Sequence, residues 1–199
     1  MSALAQEACC DRGLDEVLWQ ARKAMDLPEG YRAEIIEAAI EVLPPGRRRH
    51  DVLAHRLRGA LDARLAGSGF QVHQDIDVVH GRKVCAPCLF VASEDLAAIR
   101  DKEGCGVDAT RVSLVAGVVA PGADAHSRDE KRRRYALAGI PVYVVIDDFT
   151  DEGTVTVFSS PDPDKGTYAT KTTVSYGTPV TVPEGPAKGL VIGEEVTRP

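Results

Sequence analysis

The sequence is poor in aromatic residues, which make up 5% of its 199 positions and include a single Trp. It also lacks a long apolar run: no stretch approaches the ~18 residues of a membrane-spanning helix, so no membrane partner is expected. Residues 1–12 have no basic start followed by an apolar stretch, so no secretory signal is expected. Basic excess is missing as well. The chain carries 24 Lys and Arg against 30 Asp and Glu, a net charge of −6. A protein that coats nucleic acid indiscriminately is strongly basic, so that class is excluded. The five cysteines are Cys9, Cys10, Cys85, Cys88 and Cys105. An odd count without a secretory signal is the expectation for reduced thiols in a cytoplasm.

The remaining composition is ordinary. A 44% hydrophobic and 27% charged chain of this length suits one folded domain and excludes a disordered chain, a collagen-like fibre or a coiled-coil rod. Residues 3–26 read as a packing helix, with Leu14, Val17, Leu18, Ala21 and Met25 at three-to-four spacing. Residues 31–43 fit either a helix or a strand pair, and Pro44-Pro45-Gly46 ends them. The spacing of Val52, Leu53, Leu57, Leu61 and Leu65 predicts a helix over 48–66. Period-two alternation predicts a strand over 70–78, a turn at His80–Lys83, and another strand over 84–92. The nearly continuous apolar runs at 112–120 and 141–146 read as strands buried on both faces. Between them, 128–138 reads as a helix with a basic face, closed by Gly139. Short strands with Gly and Pro turns complete the chain. This order predicts an α+β (mixed α/β) fold around a central sheet.

Several features could carry chemistry. Cys85-Ala-Pro-Cys88 is a CxxC pair, which as a sharp reading is a redox dithiol or half of a thiolate metal site; Cys9, Cys10, Cys105, His73 and His80 could complete such a site only through folding. The plainer reading is inert cysteines. Two basic clusters, Arg47-Arg48-Arg49-His50 and Lys131 to Arg134, could contact a phosphate backbone or could be solvated surface. His126-Ser127-Arg128-Asp129 places Ser, His and Asp together, but adjacency in sequence is not triad geometry. Asp147, Asp148, Asp162 and Asp164 read as turn and loop acids.

Beyond these single features, an ordered set of segments resembles one family. GYRAEIIEAAIEVLPPGRRRHDVLAHRLRGAL, KVCAPCLFVA, SLVAGVVAPG and RDEKRRRYALAGIPVYVVID, followed by GTVTVFSS, TYATKTTVSYG and GLVIGEEV, are similar to the Uma-two-type restriction endonucleases. The likeness covers about residues 28–195, leaving 1–27 as an N-terminal helical extension of a 28–199 domain. It implies the PD-(D/E)XK fold: a central mixed β-sheet flanked by helices. In that fold acidic residues on neighbouring strands hold Mg²⁺ or Mn²⁺, which stabilises the charge built up during phosphodiester cleavage. By the resemblance, the first acidic position falls on Glu34 and the helical Lys on Lys131. The Asp of the Pro-Asp pair falls on Cys88, the Glu of the next strand on Gly117, and the Ser after it on Ala120. Glu34, Cys88 and Lys131 are therefore the candidate site residues, with Gly117 marking a vacant acidic position. Arg47, Arg48, Arg49, Arg132 and Arg133 are the candidate nucleic-acid contacts.

Three functions fit this pattern. The leading expectation is an endonuclease-like protein with a degenerate site and no resident cofactor, acting on DNA or a protein partner as a binding or repurposed module. An active nuclease with unorthodox ligands is the second. The third is a thiol-dependent enzyme, or a soft-metal protein holding Zn²⁺ through Cys88 and Glu34. The resemblance also implies a homodimer.

Overall fold

A computed structural model describes the backbone of residues 3–46, 48–119, 125–149 and 152–198, with side chains described from Gly13 onward except Arg48. Its centre is a six-stranded mixed sheet in the order β11-β10-β9-β8-β6-β3. These strands are β3 (Phe70–His73), β6 (Leu89–Ser93), β8 (Val112–Val118), β9 (Val142–Asp147), β10 (Thr154–Asp162) and β11 (Thr167–Ser175). A second, five-stranded sheet has the order β2-β1-β5-β4-β7, built from β1 (Arg32–Ile36), β2 (Ala39–Leu43), β4 (Val78–His80), β5 (Lys83–Cys85) and β7 (Val107–Asp108). A short pair, β12 (Val180–Thr181) with β13 (Val191–Ile192), and a last helical turn, α4 (Glu194–Thr197), close the chain. β8 and β9 run parallel, joined through α3 (Ala125–Leu137).

The layers follow from which residues are apolar. On α2 (Arg48–Leu65), Leu53, Leu57, Leu61 and Leu65 recur every fourth position and bury against one face of the six-stranded sheet. Alternate residues of the sheet divide between its two faces. Leu89, Val91, Leu114, Ala116, Val142 and Val144 face α2. Phe90, Ala92, Val115 and Tyr143 face α3 and the second sheet. Both faces are covered, so the apolar runs of β6, β8 and β9 are continuous rather than alternating.

Some expectations need correction. The 70–78 strand is two strands in different sheets, because Asp75 adopts a left-handed backbone (φ 57°) and turns the chain out of the six-stranded sheet. The 84–92 strand is likewise split at Ala86-Pro87-Cys88, where proline brings no N–H to a ladder. The undecided 31–43 segment is a hairpin with Ile36 opposite Ala39. The 128–138 helix begins at Ala125.

Helix α1 (Ala3–Lys23) packs, but not on the stripe its spacing suggests. Leu14 is 40% and Val17 64% exposed, while Trp19 is buried against Ile35, Val79 and Val84 of the second sheet. The docked side is rich in charge: Trp19 Nε1 donates to Glu103 Oε2 at 2.7 Å, Lys83 pairs with Asp15, and Arg22 pairs with Asp77. Trp19, with Leu18 beside it, anchors that face in a small apolar cluster, and the ion pairs surround it.

Candidate functional site

Glu34 sits on β1, two residues before Ile36, so both side chains point to the interior shared with α3. Its carboxylate is fully buried. Lys131 reaches it from α3, Nζ to Oε2 at 2.6 Å, and the Ala86 N–H donates to Oε1 at 2.6 Å. Burial pushes the Glu34 carboxyl above its ordinary pKa, although Lys131 and the Ala86 N–H both pull it down. Burial also works against the Lys131 ammonium, but the Glu34 charge and hydrogen bond prevail and hold its pKa above the usual value. The pair closes on itself inside the protein.

Cys88 lies immediately before β6, beside β8. Its N–H donates to the Ala116 carbonyl at 3.1 Å, which fixes the thiol next to Gly117 and Val118. Its sulfur accepts the Val118 N–H at 3.2 Å and lies 3.0 Å from His50 Nε2. The other ring nitrogen of His50, Nδ1, is 3.3 Å from Asp51 Oδ1. The hydrogen bond to Cys88 raises the His50 pKa to about 9 against the opposing effect of burial, with a smaller contribution from Asp51. Gly46 makes room for this arrangement: a methyl at that position would stand 2.6 Å from both His50 Nδ1 and Asp51 Oδ1. Cys85, the other half of the CxxC, is buried, and burial drives its thiol pKa far above the ordinary range.

Gly117 offers no donor, and nothing in the fold requires glycine there. A Cβ would meet only Tyr143, whose Oη lies 3.7 Å away at ordinary contact distance. Of the residues expected from the sequence, Glu34 and Lys131 are joined directly, while Cys88 pairs instead with His50. They do not fit Mg²⁺ or Mn²⁺. Both Glu34 oxygens are engaged, the sulfur is a soft donor, and a hard cation prefers several oxygens. Among the described residues no group of three or more His, Cys, Asp and Glu is placed to hold a metal ion. His73 bonds the Ser93 carbonyl instead.

Among the described residues the basic clusters are paired with acids. Arg47 lies outside the described residues, as does the side chain of Arg48. Arg49 grips Asp148 with two nitrogens, one of them at 2.7 Å. Arg132 pairs with Asp129 at 3.2 Å and lies over the Phe158 ring. Arg133 and Arg134 share Glu130, at 3.3 and 2.6 Å. The loop acid Asp147 takes Arg128 at 3.0 Å, and Asp162 takes Lys165 at 2.6 Å. His126 and Ser127 reach Glu37 and Glu41 on the first hairpin rather than each other.

His50 was not singled out by sequence reasoning except as a member of a basic cluster. It stands 38 positions from Cys88, so no spacing reports the pair; the glycine after Pro44-Pro45 was the only local trace of it.

The fold is shared with a solved structure described as a "putative nuclease belonging to DUF820" from Anabaena variabilis. The two are 15% identical with a TM-score of 0.65, over 83% of this chain and 89% of that one. The architecture is therefore the restriction-endonuclease-like α+β fold, with its mixed sheets flanked by helices. The sequence matches the model of the Uma2 family, described as "Putative restriction endonuclease", over residues 19–193, and the chain belongs to that family. A comparison with curated proteins gives no significant match. Among the described residues no helix is long and apolar enough to cross a membrane.

Proposed function

We propose that this chain is an endonuclease-like protein that no longer cleaves phosphodiesters by the metal-dependent route, and that it serves as a binding or repurposed module. The observation that carries this reading is the donor set. Cys88 stands where the resemblance places an Asp, Gly117 stands where it places a Glu, and Glu34 is closed by Lys131 at 2.6 Å and by the Ala86 N–H at 2.6 Å. Losing metal-borne charge stabilisation removes several kcal/mol at the transition state, and each ~1.4 kcal/mol is tenfold in rate. Nucleic acid is the partner class suggested by the family. The pairing of Arg49, Arg132 and Arg133 with acids argues for weak backbone contact by those residues.

The test is direct. Purified protein is incubated with single- and double-stranded DNA and Mg²⁺ or Mn²⁺, and products are resolved on gels. No cleavage above buffer is expected. Metal-dependent cutting that disappears in Glu34→Ala would refute the proposal.

A further inference from the structure

The vacated carboxylate position is not empty of chemistry. Cys88 is paired with an imidazole at 3.0 Å, and that imidazole has a carboxylate at its far nitrogen, 3.3 Å away. A nucleophile, a base within hydrogen-bond reach, and a group orienting the base make up a nucleophilic dyad with its support. The Val118 N–H at 3.2 Å and the nearby Lys131 ammonium add positive charge around the sulfur. We propose that Cys88 and His50 form a reactive thiol site that exchanges with small disulfides. This rests on the reading that the site no longer holds a catalytic metal.

The choice of substrate class follows from the backbone. Acyl transfer needs N–H donors free to hold an oxyanion. Around Cys88 they are engaged: its own N–H with Ala116, that of Ala86 with Glu34, that of Val118 with the Cys88 sulfur, and that of Val119 with Ile146. Thiol–disulfide exchange needs no such donors, because charge passes from sulfur to sulfur. His50 Nε2, 3.0 Å from the sulfur, takes the Cys88 proton as the sulfur attacks. The sulfur attacks one sulfur of the disulfide, a new S–S bond forms, and the old one breaks. The electron pair leaves with the departing thiolate, which takes the proton from His50. The products are a mixed disulfide at Cys88 and one free thiol; the disulfide itself is the oxidant.

The chain contains its own controls. Cys105 is half-buried like Cys88, but its sulfur donates to the Glu103 carbonyl at 4.0 Å, and burial raises its pKa. Cys85 is buried with its pKa raised further. An ordinary thiol is a few per cent thiolate at pH 7. A base placed to take the proton during attack is worth about 10²-fold or more when the substrate is also positioned, and about 10-fold is expected for a small disulfide that is not held in place.

The experiment treats the reduced full chain with limiting 2-hydroxyethyl disulfide at pH 7, quenches with acid at intervals, and locates the adduct by peptide mass spectrometry. Cys88, with His50 at 3.0 Å, should react about 10-fold faster than Cys105. His50→Asn should abolish that advantage and leave the Cys105 rate unchanged. Gly46→Ala keeps the imidazole but places a methyl 2.6 Å from its Nδ1, and should slow Cys88 selectively in the same way. Equal rates at Cys88 and Cys105, or an unchanged Cys88 rate in both variants, overturn the proposal. Metal-dependent DNA cleavage by the unmodified chain would instead overturn the loss-of-nuclease reading, whatever the thiol rates.

Discussion

Replacing Lys131 with Met isolates the energetics of the site. Glu34 is fully buried and its two oxygens have two partners, Lys131 Nζ and the Ala86 N–H, each at 2.6 Å. Methionine fills much of the lysine stem's space but leaves the carboxylate with the Ala86 N–H alone. Breaking a buried ion pair from one side costs about 3–5 kcal/mol. For a domain of this size that is a fall in Tm of about 6–20 °C. The double variant Glu34→Gln with Lys131→Met removes both charges and should recover most of the loss. The pH dependence has a defined sign. Burial already places the Glu34 pKa above its unfolded value of 4.5, and removal of Lys131 raises it further. A carboxyl raised in the folded state contributes stability below its unfolded pKa and loses it as pH rises through the folded pKa. Lys131→Met should therefore be closer to the parent protein at pH 5 than at pH 8. Thermal melts followed by circular dichroism at the two pH values decide the matter. A Tm within about 2 °C of the parent at pH 8, or a deficit that does not shrink on acidification, refutes the account.

Other outcomes follow from neighbouring features. The double variant Cys88→Asp with Gly117→Glu restores two carboxylates, and at Gly117 the added Cβ itself meets only Tyr143, at 3.7 Å. It should take up Mn²⁺ measurably by titration calorimetry while the parent chain does not; no heat from the variant counts against the assigned positions. Trp19 is the only tryptophan and is 1% exposed under α1. Its replacement by Ala should cost about 3–5 kcal/mol in urea unfolding, and a loss under about 1 kcal/mol would mean that α1 is not integral to the packing.

The fold was legible where burial on two faces leaves a continuous apolar run. The two nearly continuous apolar runs of the sequence fall on β8 (Val112–Val118) and β9 (Val142–Asp147), because each strand is covered by α2 on one side and by α3 with the second sheet on the other. It was illegible where a bend interrupts a pattern without changing it. Alternation passes through Asp75 and apolar character passes through Pro87, so neither break shows in the period. The face of α1 does not follow its apolar spacing, because one Trp and a ring of charged contacts fix it, with partners such as Glu103 and Lys83 far along the chain. The site was half legible. Glu34 and Lys131 were placed by resemblance and do meet. In the sequence His50 is visible only as one member of a basic cluster open to either phosphate contact or solvent, and the charge of Arg49 is cancelled by Asp148, 99 residues away. Long-range pairing of this kind leaves no local signature.

The bends at 74–77 and 86–88 are part of a larger weave. Between Leu43 and Val112 the chain passes from one main sheet to the other five times: β2 to β3, β3 to β4, β5 to β6, β6 to β7, and β7 to β8. Neither sheet is built from one uninterrupted stretch, so neither can peel away while the other stays intact. Opening the second sheet drags on β3, β6 and β8, which form half of the first. A chain stitched in this way behaves as a single cooperative unit, with amides of both sheets exchanging through the same global opening. Cys88 sits on one of the stitches, so a group attached to its sulfur would press on the seam that joins the two halves of the molecule.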